Sequence, residues 1–233
     1  ALETLRRRTD VDPNRIVIFG ASMGANLAPL LAANQNVAGV LVWGGGARTW
    51  AELPALLETP RRILLMVKAG DPVDEAMRQL EPHLAPGDIV IDGGNSQFLD
   101  TRRREAEWKK KKLSFVGCGI SGGEEGARHG PSIMPGGAKS AYDHVAPIFE
   151  AIAAKTDSGP CVTYVGPDGA GHFVKMVHNG IEYGDMQLIA ESYDLLRNVG
   201  GLDNARVKGA FEAYDEGVLE SFLVEITAKV LGV

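Results

Sequence analysis

The chain has 233 residues, 45% of them hydrophobic and 23% charged, with a formal net charge of −6. That balance excludes a disordered or fibrous chain and argues against a broad nucleic-acid surface, leaving room for a local basic pocket around a small anion. No apolar run reaches the roughly 18 residues of a membrane-spanning helix, and Cys118 and Cys161 are too few for a metal cage or a disulfide framework. The opening stretch Ala1-Leu2-Glu3-Thr4-Leu5-Arg6-Arg7-Arg8 lacks the apolar core of a signal peptide. The expectation is a cytoplasmic protein with no membrane and no nucleic-acid partner.

Strands are predicted, in chain order, over 15–19, 37–43, 63–67, 88–91, 114–116 and 162–165, where short β-branched and aliphatic runs end in turn residues. Helical periodicity fills most of the gaps, over 26–33, 50–57, 73–84, 101–111 and 141–154. Strands alternating with helices imply βαβ units, hence an α/β chain with a Rossmann-like, doubly wound parallel sheet. From Gly171 onward the pattern is helical: one long helix to about Asn198, a second over 205–214 and a third over 218–230. The expected domains are therefore 1–170, dinucleotide-binding, and 171–233, the start of an all-helical domain. The run Lys109-Lys110-Lys111-Lys112 reads as a solvated helix end, where cations suit the negative pole of the helix dipole. Trp43, Trp50 and Trp108 read as packing residues.

Glycine is over-represented, 29 of 233 residues against an average near 7%. The glycines gather just past the apolar runs, where a missing Cβ lets backbone approach a ligand. The first such loop, Gly20-Ala21-Ser22-Met23-Gly24, has two readings. As Gly20-x-Ser22-x-Gly24 it matches a nucleophile elbow, and the surrounding 10–52 resembles that segment of an α/β-hydrolase. As a dinucleotide turn it puts Phe19 and Ala21 at the first two glycine positions and Gly24 at the third. Both readings remain open on these residues.

The long helix is more informative. Lys175, His178, Asn179 and Glu182 stand at i, i+3, i+4 and i+7, which sets an amine, an imidazole, a carboxamide and a carboxylate on one helical face. Val174, Val177, Ile181 and Leu188 are expected to pack on the other side. A glycine loop, Gly166-Pro167-Asp168-Gly169-Ala170-Gly171, precedes this helix.

The stretch from Gly166 to Gln187, with its core Lys175-Met176-Val177-His178-Asn179-Gly180-Ile181-Glu182-Tyr183, resembles the signature helix of decarboxylating 6-phosphogluconate dehydrogenases. Met66-Val67-Lys68-Ala69-Gly70, Ile91-Asp92-Gly93-Gly94-Asn95-Ser96, the segment from Gly119 to Arg128 and Pro131-Ser132-Ile133-Met134-Pro135-Gly136-Gly137 resemble the same family in the same order. The resemblance covers roughly 61–233, about three quarters of the chain. Two features depart from it. The first 55 or so residues look more like a hydrolase, with Ala47-Arg48-Thr49 the nearest echo of the family's Asn-Arg-Thr. The chain also stops at Val233 within a helical pattern, where family chains continue into a large helical domain.

The resemblance implies NADP-dependent oxidation of 6-phosphogluconate followed by decarboxylation to ribulose 5-phosphate, a pentose phosphate pathway reaction that needs no metal. Lys175 is then the base for the hydroxyl proton, which requires a neutral amine, and Glu182 the acid that protonates the enediol carbon. His178 and Asn179 hold substrate oxygens, Tyr183 the phosphate end, and Ser121, Gly122 and Gly123 the sugar acid. Val67, Lys68 and Ala69 line the nicotinamide, Asn95 touches both ligands, and Gly20, Ala21, Ser22, Met23 and Gly24 form the dinucleotide turn. Arg48 is the candidate for the 2′-phosphate. The family also implies a homodimer, and the shortened helical domain implies weak or absent turnover by this chain alone. The alternatives are a serine hydrolase or esterase acting through Ser22, and a non-catalytic chimeric or fragment fold that keeps a ligand pocket.

Overall fold

Aliphatic runs without polar alternation are what a strand covered on both faces requires, and here they build a six-stranded sheet. The structure, a computed structural model, describes residues 17–21, 39–43, 57 and 59–232. Within these, β1 (Val17–Ala21), β2 (Gly39–Trp43), β3 (Arg62–Met66), β4 (Ile89–Asp92), β5 (Ser114–Ser121) and β6 (Ser132–Pro135) lie in the order β2-β1-β3-β4-β5-β6. The first five are parallel, with Gly20 opposite Met66, Leu65 opposite Asp92 and Asp92 opposite Gly117. β6 runs antiparallel to β5, from Cys118 opposite Pro135 to Ser121 opposite Ser132.

Two helices, α1 (Asp71–Leu80) and α2 (Phe98–Lys109), follow β3 and β4. α3 (Gly123–His129) joins β5 to β6, and α4 (Lys139–Ile152) follows β6. A two-stranded ribbon of β7 (Lys155–Thr156) and β8 (Gly159–Pro160) comes next. The period-2 alternation of a strand sorts the core into two layers. Leu64, Met66, Ile89, Ile91, Val116 and Cys118 pack with Ala141, Tyr142, Val145, Phe149 and Ile152 of α4. Ile63, Leu65, Val90 and Phe115 face the other way, onto Val73, Ala76, Met77 and Leu80 of α1 and Trp108 of α2. The result is a three-layer α/β arrangement, and Trp108 is a packing residue, edge-on to Phe115.

The chain divides into two compact units between Met176 and Val177, inside α5 (Ala170–Asp194). In the second unit α5 ends in a π-helical turn at Leu195–Val199, followed by α6 (Asn204–Asp215) and α7 (Phe222–Val230). Asp203 and Ser221 cap α6 and α7 by accepting from the amides of Arg206 and Val224. Val207, Phe211, Val224 and Ala228 form this unit's own core. Among the described residues no helix is long and apolar enough to cross a membrane.

Two expectations are corrected. Residues 162–165 form no strand; only the isolated bridges Ile133 with Val162 and Gly136 with Gly166 mark the segment, which lies between Pro160 and Pro167. The sheet instead takes its edge from Ser132–Pro135, a run ending in proline, which an edge strand tolerates because proline has no N–H to donate to a further strand. Val177, Ile181 and Leu188, expected to pack, are exposed. The four lysines behave as expected: α2 ends at Lys109, all four are exposed, and Lys111 pairs with Glu81 at 2.6 Å. The helices expected over 26–33 and 50–57 lie outside the described residues, apart from Leu57.

Candidate active site

In an open parallel sheet the ligand crevice lies at the carboxyl ends of the strands, where the strand order reverses. Here it reverses at β1, with β2 on one side and β3 on the other. Gly20 and Ala21 end β1 beside the end of β3, and Val67, Lys68 and Ala69 leave β3 at that edge. Asn95 leaves β4 and Ser121 ends β5 at the same edge, because β3, β4 and β5 are parallel neighbours. The fold thus brings Gly20, Ala21, Val67, Lys68, Ala69, Asn95, Ser121, Gly122 and Gly123 to one edge. Ser22, Met23, Gly24 and Arg48 lie outside the described residues.

The loops at this edge are held by close backbone approach. A Cβ on Gly94 would stand 2.8 Å from the Val67 carbonyl oxygen, so the loop presenting Asn95 adjoins the one carrying Lys68 only because position 94 is glycine. Gly70, at φ +90, makes the turn from the Lys68 loop into α1. Gly122 and Gly123, at φ +137 and +57, turn the chain from Ser121 into α3.

Beneath the loops lies a buried polar layer that sequence reasoning missed. Asp92, fully buried, accepts from the Gly94 amide at 3.0 Å and from the Ser96 hydroxyl at 2.6 Å. Arg104, also fully buried, donates from Nε and Nη2 to both Asp74 oxygens, at 3.1 and 2.7 Å, and from Nη2 to the Gly70 carbonyl at 3.1 Å. Its Nη1 stands 3.7 Å from Asp92 Oδ2. The Arg104 guanidinium holds the Asp74 carboxyl below the usual carboxylate range, with Arg103 adding to the effect. His172 is buried, with Nδ1 2.6 Å from the Thr101 hydroxyl and Nε2 3.1 Å from the Gly94 carbonyl oxygen. The available signals were an aspartate closing an apolar strand and an arginine on the buried face of a helix.

Lys175 is buried on α5, at the sheet's carboxyl edge. A Cβ on Gly119 of β5 would meet Lys175 Cβ at 2.5 Å and the Gly171 carbonyl at 3.0 Å, so the absence of that atom seats the helix on the strand. Gly171 itself would collide through a Cβ with the Gly117 carbonyl and, at 2.6 Å, with that of Met134. Further along α5, in the second unit, His178 Nδ1 lies 3.2 Å from Asn179 Oδ1 and 3.6 Å from Glu182 Oε2. All three are half-buried, and Tyr183 is exposed. Among the described residues no group of three His, Cys, Asp or Glu side chains is placed to hold a metal ion.

A sheet reversing at β1, glycine loops along its carboxyl edge and a buried lysine seated there define a dinucleotide-binding α/β protein with a helical continuation. Comparison with known proteins narrows the class. The NAD binding domain of 6-phosphogluconate dehydrogenase matches residues 17–166, and that enzyme's C-terminal domain matches 171–233. The chain belongs to the 6-phosphogluconate dehydrogenase family. It is 60% identical over 177 residues to the decarboxylating 6-phosphogluconate dehydrogenase of Synechococcus elongatus, covering 76% of this chain and 38% of that one. It is also 60% identical over 186 residues to the enzyme of Lactococcus lactis subsp. lactis, covering 79% and 39%. Among solved structures, the Plasmodium falciparum 6-phosphogluconate dehydrogenase, described in apo form and with NADP+ and 6-phosphogluconate, superposes with a TM-score of 0.85. Its identity is 40%, over 93% of this chain and 50% of that one. The chain thus spans about two fifths of the length of these curated relatives. Because the NAD-binding match begins at residue 17, it takes in the Gly20-x-Ser22-x-Gly24 segment, which disfavours the serine-hydrolase alternative.

Proposed function

We propose that this chain carries the dinucleotide-binding and proton-transfer machinery for NADP-dependent oxidative decarboxylation of 6-phosphogluconate to ribulose 5-phosphate. The observation that carries the reading is Lys175, a buried amine backed onto Gly119 at the edge where the loops bearing Lys68, Asn95 and Ser121 emerge. The domains on this reading are 1–170 for the dinucleotide and 171–233 for the start of the helical domain.

The edge suits a dinucleotide in its glycine turns and in the strand reversal beside β1. Val67, Lys68 and Ala69 would line the nicotinamide, with Gly20, Ala21, Ser22, Met23 and Gly24 around the phosphates and Arg48 at the 2′-phosphate. When bound, NADP supplies a hydride acceptor. Ser121, Gly122, Gly123, His178, Asn179 and Asn95 would orient the sugar acid, and Tyr183 would hold its phosphate. Lys175 takes the hydroxyl proton as the hydrogen on the same carbon leaves with its electron pair. The resulting ammonium then polarises the new ketone, so the bond to the carboxylate can break and release carbon dioxide while its electrons form an enediol. Glu182 then gives a proton to the carbon while Lys175 takes back the proton its ammonium had given to the enediol oxygen, which closes the ketose.

The test is NADPH absorbance with saturating 6-phosphogluconate, for the parent and for Lys175→Met. Whatever turnover the parent shows is expected to depend on Lys175 and to fall by at least 100-fold in the variant; activity surviving in Lys175→Met would overturn the assignment of the base. Arg48→Ala should weaken NADP while leaving NAD almost unchanged, since a guanidinium matches a phosphate with charge-assisted bonds of about 1.5–3 kcal/mol. The same reading makes the chain cytoplasmic and homodimeric, and a strictly monomeric mass by light scattering at micromolar concentration would count against the dimer.

A further inference from the structure

His172 takes no part in the chemistry above, yet it is one of the largest fully buried side chains of the described structure. Its two ring nitrogens have different partners. The Gly94 carbonyl can only accept, so Nε2, 3.1 Å away, must carry a hydrogen. Nδ1 is 2.6 Å from the Thr101 hydroxyl, which can donate to it. Burial disfavours the charged ring and lowers its pKa, and the nearby Arg104 acts in the same direction, while Asp92 and the Gly94 carbonyl oppose it. The neutral imidazole therefore has one donor and one acceptor, each with a partner.

The partners sit on separate elements. Thr101 is on α2, and Gly94 belongs to the loop between β4 and α2. Asp92 grips the Gly94 amide from below and His172 its carbonyl, so both polar groups of residue 94 are fixed by buried side chains. The next residue is Asn95. His172 lies one helical turn before Lys175 on α5, and a Cβ on Gly117 would meet its Nδ1 at 2.9 Å, so the ring packs close against bare backbone of β5.

We infer that His172 is a positioning residue: its imidazole, donating from Nε2, is the hydrogen-bonded link between the helix carrying Lys175 and the loop presenting Asn95. The roles given to Lys175 and Asn95 rest on the proposed function; the link itself does not. A displacement of about 1 Å can cost on the order of 100-fold in rate. His172→Gln, which cannot accept at Nδ1 and donate at Nε2 with ring geometry, should therefore lower kcat by that order. NADP binding to the rest of the edge should change by less than about tenfold.

The experiment pairs kinetics with nitrogen-15 histidine and amide NMR on the full chain. In the parent at neutral pH, His172 should show a proton on Nε2 and a bare Nδ1. His172→Gln should move the amide resonances of Gly94 and Asn95, and Thr101→Val should do so more weakly. A bare Nε2 at neutral pH, a proton on Nδ1 in the neutral ring, or unmoved Gly94 and Asn95 resonances in His172→Gln would overturn the link. If the parent neither turns over nor binds NADP, the proposed function fails, while the NMR arms still decide the link. Intact resonance shifts with an unchanged kcat would overturn the positioning role.

Discussion

Asp74, whose native pKa is depressed by Arg104, and His172, whose native pKa is lowered by burial, give this protein two separate acid limbs. For Asp74, stability is fully present above the unfolded value of about 3.9 and is lost as the pH falls through the lower native value. Asp74→Asn should remove that limb from a plot of denaturation midpoint against pH. Asp74→Ala should also cost on the order of 3 kcal/mol at neutral pH, because it strips the bidentate partner from the buried Arg104. For His172 the unfolded ring binds its proton more readily than the native one. Stability should therefore hold above about pH 6.5 and decline below it, toward the lower native value. His172→Gln should flatten that decline, and an unaltered slope would show that another group titrates there. Cys118 belongs to the same scale: burial in the β5 core pushes its thiol up, so it should resist alkylation in the folded protein.

At the scale of elements, glycines on α5 and β5 contrast with one on α6. Gly119 and Gly171 are steric seats, where added carbon meets backbone or the Lys175 stem. Gly119→Ala should cost about 1–3 kcal/mol in overpacking and displace Lys175, lowering turnover as well as the melting temperature. Gly171→Ala should cost more, since carbonyls on two strands are in the way and backbone cannot rotate aside. Gly209, within α6, has open space where a methyl group would sit, with no neighbouring atom within 4 Å, and there Ala should gain up to about 1 kcal/mol. Thermal melts of the three variants separate the cases, and a neutral Gly119→Ala would mean that the helix seat yields.

For the whole molecule, a ligand that binds only the folded chain stabilises it by mass action, about 2.7 kcal/mol at 100 times its Kd. NADP should therefore raise the melting temperature of the parent and, to nearly the same extent, of Lys175→Met, because on the proposed reading the dinucleotide would be held by the glycine loops and not by the Lys175 amine. Absence of a shift in both proteins would remove the cofactor assignment. The sequence by itself determined the α/β class, the positions of the first four strands within a few residues, the start of β5 but not its run to Ser121, the helical continuation and the family. Each of these is written in local pattern: aliphatic runs, glycine turns, and a lysine and glutamate seven residues apart on a helix. It misplaced the sheet edge, reading 162–165 as a strand where Ser132–Pro135 pairs instead, because a short apolar run does not say which neighbour will satisfy its backbone. Only the tertiary structure decided that Asp92, Arg104 and His172 form one buried polar layer beneath the loops. Their partners lie up to 78 residues away in the chain, and such pairings leave no periodicity for a sequence to display.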